Sequence, residues 1–125
     1  MATSKLTDLD FDAWSEDDEE KAIEAIAHLS KIRYVISEGS IFYGRFPDGR
    51  VIKTPLRITV DTLEQLAAAE VTELEQVKML LGMLGQDEDV DYLKTADLLS
   101  AIDYAAKYFR IFEKITQMSM GEFMR

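Results

Sequence analysis

Apolar residues recur at steps of three and four over the last quarter of the chain: Leu98, Ile102, Ala105, Phe109, Phe112 and Ile115/Thr116. This spacing places them on one face of a helix, predicted over 95–118 with Thr95 as its cap. Such a helix would span roughly 35 Å at about 1.5 Å per residue. A continuous apolar face of that length needs a covering surface, and the rest of the chain must supply it or leave it open. The same period appears near the start. Ser15 stands three residues before Asp18 in the acidic run Glu16 to Glu20, which suits a helix N-terminus, where unpaired amides favour negative charge. The stripe then runs through Ala22, Ala25/Ile26, Leu29, Ile32/Arg33 and Ile36 to Gly39 as terminator, with Tyr34-Val35-Ile36 pulling against the last turn.

Between Ile41 and Val60 the period changes to two. Ile41 to Phe46, Pro47-Asp48-Gly49 and Arg50 to Thr54 read as a hairpin, with proline presetting the turn. Pro55 cannot donate to a ladder, so it sets a break before Leu56 to Val60, which reads as a third short strand. Two capping boxes follow, an imperfect one at Asp61 to Glu64 and a standard one at Thr72 to Glu75. The first opens a short helix with Leu63, Leu66 and Ala67 on one face. The second opens a helix through Leu74, Val77, Leu80/Leu81 and Leu84 that Gly82 and Gly85 end. Gln86 to Asp89 reads as an acidic loop, with a turn at Asp91-Tyr92-Leu93.

The predicted architecture is therefore α+β: a small antiparallel hairpin or three-stranded sheet packed on a mainly helical domain with a long C-terminal helix. Residues 1–14 form an acidic arm with Leu6, Leu9, Phe11 and Trp14 as anchors, residues 15–118 a single domain, and residues 119–125 a flexible tail. The length of 125 residues and the 47% hydrophobic, 30% charged composition support one domain with a real core.

Charge narrows the partners. A net charge of −10 argues against general affinity for nucleic acid or anionic membranes, which depends on neutralising phosphates. The signs alternate along the chain: residues 1–30 carry two Lys against nine acids, whereas residues 31–57 carry six Lys/Arg against two. Either acidic and basic elements of one domain attract each other, or a basic patch is reserved for an acidic partner. No cysteine is present, which excludes disulfides and thiolate chemistry and fits a reducing cytoplasm. Met1 to Ser15 lacks the apolar core of a signal peptide, and no apolar run reaches the ~20 residues of a membrane span, so a cytoplasmic protein is expected.

Catalytic constellations do not emerge. Asp87-Glu88-Asp89-Val90-Asp91 lacks the glycine and distal glutamate of a calcium-binding loop and reads as solvated acid. His28, the one histidine, has no second ligand or nucleophile motif beside it. No glycine-rich loop follows a strand to cradle phosphate. No metal, cofactor or enzymatic activity is expected, which leaves surface for partners. Aromatic and thioether groups crowd the last helix and tail at Tyr104, Tyr108, Phe112, Ile115, Met118, Met120, Phe123 and Met124, a soft surface suited to irregular apolar partners. From about Phe112 onward the stripe outlasts the elements available to cover it.

The order of parts over residues 41–122 (a hairpin with an Asp-Gly turn, capped Leu-rich helices, and an aromatic terminal helix running into Ser119-Met120-Gly121-Glu122) resembles the tail assembly chaperones of long-tailed, siphovirus-type bacteriophages. Members of that family are similar in being short, acidic, cysteine-free α+β proteins. The resemblance implies a non-enzymatic chaperone in the host cytoplasm. Such a chaperone binds the long helical tape measure protein while the tail tube polymerises around it. In the family a frameshifted longer form recruits the tail tube protein, and there are no catalytic residues to carry over. Two other readings stand beside it. One is a structural or adaptor protein of a phage particle, a homo-oligomer formed through the hairpin edge. The other is a small acidic regulator that mimics nucleic acid with residues 8–24.

Overall fold

The computed structural model describes residues 9–123, with side chains as far as Ser119. Its elements run α1 (Glu16–Ser30), β1 (Arg33–Ser37), β2 (Ile41–Arg45), β3 (Val51–Pro55), α2 (Val60–Ala68), α3 (Glu73–Met83), α4 (Asp87–Thr95) and α5 (Leu98–Phe123). The fold is α+β, with five helices and one antiparallel sheet in the order β1-β2-β3 among the described residues, and a long C-terminal helix.

The inner face of the sheet and the middle of α5 make the core. Phe42, Phe46, Ile52, Thr54 and Leu56 point inward and meet Ala101, Tyr104, Ala105 and Tyr108, while Val77, Leu80 and Leu81 of α3 close the layer below. The rings interlock edge to face and stacked: Phe42 lies 5.4 Å from Tyr104 and 5.6 Å from Tyr108, and Phe46 lies 5.5 Å from Tyr104. Gly44 makes this possible, because a Cβ there would run into the Tyr104 ring. Each buried hydroxyl has a partner. Tyr104 shares a hydrogen bond with Thr54 Oγ1, and Tyr108 donates to the Pro55 carbonyl. Burial pushes both phenols above the usual tyrosine range.

Several boundaries differ from those the sequence predicts. The first helix stops at Ser30, and residues 33–37 form a strand. Gly39, expected to end a helix, sits at φ 83° in the tight turn from β1 to β2, beside Glu38 at φ 53°. The strand-prone cluster Tyr34-Val35-Ile36 thus prevails over the helical stripe once β2 offers a ladder. The third strand is accordingly β1, and Leu56 to Thr59 make no strand. Helix α2 starts two residues early because Thr59, rather than Asp61, is its cap and accepts from Thr62 N. Thr72 caps α3 as expected, accepting from Glu75 N. The presumed acidic loop 87–89 is the first turn of α4, where acids are favoured by the same amide field that favours them in α1. Thr95 ends α4, and Asp97 caps α5 by accepting from Ser100 N at 3.1 Å.

The N-terminal arm is not pinned by its described anchors, since Phe11 and Trp14 stand exposed. Leu6 lies outside the described residues. At the other end α5 continues to Phe123, five residues past the expected boundary of the tail.

Candidate functional site: uncovered partner surfaces

Helix α5 is the element to follow outward. Tyr104 and Tyr108, expected at a partner surface, are 0% exposed and belong to the core. The correction has a physical cause: Gly44 makes room for one ring, and Thr54 and Pro55 satisfy the two hydroxyls. The buried face is therefore rotated from the expected stripe, and Leu98 and Ile102 face outward. Phe109 and Phe112 sit half-buried at the rim, their rings 6.5 Å apart and both against Tyr108. Beyond them every described residue from Glu113 to Ser119 is exposed, including Ile115 at 43% and Met118 at 72%. That free segment is about two turns, roughly 10 Å, of helix standing clear of the body. The structure thus brings Phe112, Ile115 and Met118 onto one projecting end. The side chains of Met120 and Phe123, and all of Met124, lie outside the described residues.

A second uncovered surface lies on the first helix, whose apolar stripe does not by itself say what covers it. Helix α1 has a full capping box between Ser15 and Asp18 and an Asp17–Lys21 pair, so its local helix signals are strong. Yet it buries no residue, and Ile23, Ile26 and Leu29 are 59%, 53% and 73% exposed. Among the described residues, its hydrogen bonds to the body gather at its C-terminal end. Ser100 Oγ donates to the Ser30 carbonyl at 2.8 Å, Ile32 N donates to Asp103 Oδ2 at 2.9 Å, and Lys107 Nζ donates to both Asp103 and the Ile32 carbonyl. Between α1 and α5 runs an apolar groove of ≈ 410 Å³ bordered by Ile23, Ile26, Ala27, Leu99, Ile102 and Ala106.

The third surface is the outer face of the sheet. The register sets Arg33 opposite Arg45, Val35 opposite Tyr43, and Tyr43 opposite Lys53. The sequence shows the basic bias of residues 31–57, but reading 33–36 as helix hides that these cations share one face.

Polar clusters elsewhere are engaged within the fold. Arg50 pairs with Asp89 at 3.0 Å and stacks over Tyr92, whose hydroxyl donates to Asp48. The Arg50 amide and the Tyr92 hydroxyl hold the Asp48 carboxyl below its usual range, and burial beside Asp48 pushes Tyr92 up to about 12. This clamp locks the β2–β3 turn to α4. A cleft of ≈ 580 Å³ lies beside it, but Asp48 is taken by Tyr92 and its other carboxylate, Asp97, by Ser100. On β3 the Lys53 and Pro55 carbonyls accept from Gln86 and Tyr108, so this edge is blunted against strand addition. No helix among the described residues is long and apolar enough to cross a membrane. Comparison with protein families, with curated proteins and with solved structures finds no match for this chain.

Proposed function

We propose that this chain is a non-enzymatic assembly chaperone of the phage tail type, which holds an amphipathic helical segment of a tape measure protein against the projecting end of α5. One observation carries the reading: the half-buried pair Phe109 and Phe112 continues into the exposed Ile115 and Met118, so an apolar stripe leaves the core and runs on with nothing over it. An amphipathic helix laid along such a stripe buries its own apolar positions at i, i+3, i+4 and i+7, the helix-in-groove mode of recognition. The flexible thioether of Met118 tolerates an irregular client, and the net charge of −10 keeps the complex in solution.

The test is co-expression with a tape measure segment followed by co-purification. Ile115→Asp with Met118→Asp is expected to abolish co-purification while leaving the thermal unfolding midpoint unchanged, because neither side chain is part of the core. Undiminished co-purification by the double variant would end the site assignment.

A further inference from the structure

We propose that the outer face of the sheet is a docking site for α1 of a second copy of this chain. The face holds Arg33, Arg45 and Lys53 around Val35, Tyr43 and Val51, and all of these but Lys53 line an open concavity of ≈ 600 Å³. Arg33 and Arg45 are direct cross-strand neighbours, an arrangement of like charges that costs stability in the isolated chain. None of the three cations forms an ion pair among the described residues. The surface therefore offers an apolar centre and a positive rim, with Glu38 in the β1–β2 turn at its end.

Helix α1 offers the complement. Residues 9–30 carry eight acids against one lysine, and Ile23, Ile26 and Leu29 are uncovered. Glu20 neighbours Ile23 three residues on and Glu24 four residues on, so carboxylates run along one flank of the aliphatic patch. The sheet cannot take α1 from its own chain. Only Lys31 and Ile32 separate α1 from β1, and the bonds from Ser100, Asp103 and Lys107 fix that junction on α5, which packs on the opposite face of the sheet. An exchange in which each copy lends α1 to the other's sheet closes as a two-fold dimer. The alternative, two copies pressing their α1–α5 grooves together, would set acidic α1 against acidic α1. This contact does not use the end of α5, so it stands or falls independently of tape measure binding.

Charge exchange tests it on the full chain. Arg33→Glu with Arg45→Glu makes the sheet face acidic; Glu20→Lys with Glu24→Lys makes residues 20–30, the part of α1 that carries the aliphatic patch, basic. All four residues are exposed, and circular dichroism verifies that each variant folds. By sedimentation, the native chain is expected to associate, less tightly at molar salt, and each variant alone to associate more than roughly 100-fold more weakly. Mixed in equal amounts, the two variants should form a one-to-one complex, since each helix then meets a sheet of opposite sign. A native chain that stays monomeric at millimolar concentration would overturn the proposal. So would an arginine variant that associates like the native chain, or a mixture that stays monomeric.

Discussion

Along α5, Ala101, Tyr104, Ala105 and Tyr108 are buried to 1% exposure or less, whereas α1 buries none of its 15 residues. Both helices are amphipathic and both begin with a side-chain cap. The difference is what lies opposite. Tyr104 and Tyr108 find a glycine gap, a threonine hydroxyl and a proline carbonyl on the sheet, while Ile23 and Leu29 find an open groove and solvent. Periodicity reports that a face wants cover. It does not report whether the same chain provides it.

Breaking the packed side of this comparison should have the largest effect. Tyr104→Ala is expected to cost about 3–5 kcal/mol in urea unfolding, because it empties the space that Phe42, Phe46 and Gly44 enclose. Alkali attacks the same pair of rings. Their folded pKa lies above the ordinary 10.0, so their contribution is complete below pH 10 and declines as pH rises beyond it, where the unfolded chain releases protons that the folded chain retains. Of the five phenols, the last two to give tyrosinate absorbance should therefore do so together with loss of ellipticity above pH 10. All five phenols titrating with the fold intact would contradict the burial.

Gly44→Ala comes next, at about 1–3 kcal/mol, since the added methyl must push Tyr104 aside. The sequence shows this glycine only as part of a hairpin; the need for it arises from a ring sixty residues away. The hairpin turn, the capped helix at Thr72 and the long last helix are legible because their signals are local. The strand at 33–37 is not, because five residues of mixed character become a strand only when β2 lies alongside. The candidate site divides in the same way. Ile115 and Met118 are legible as stripe residues beyond the last element able to cover them. The basic sheet face is not, because Arg33 and Arg45 are neighbours only through pairing. Tyr108→Phe, which removes one hydroxyl and frees the Pro55 carbonyl, is expected to cost about 0.5–1.5 kcal/mol.

The smallest effect belongs to the other helix. In dilute protein, Ile23→Ala or Leu29→Ala should change stability by no more than about 0.5 kcal/mol, because neither side chain is covered. A loss comparable to that of Gly44→Ala would mean that α1 is held by its own domain after all.

Amide hydrogen exchange followed as a function of protein concentration tests most directly the claim that α1 completes its packing on another molecule. Isolated helices of this length are marginal, so at low concentration the α1 amides should exchange quickly while those around Tyr104 and Tyr108 remain protected. Raising the concentration should slow exchange in α1 and leave the middle of α5 unchanged. Strong protection of α1 in dilute monomer, independent of concentration, would contradict the account.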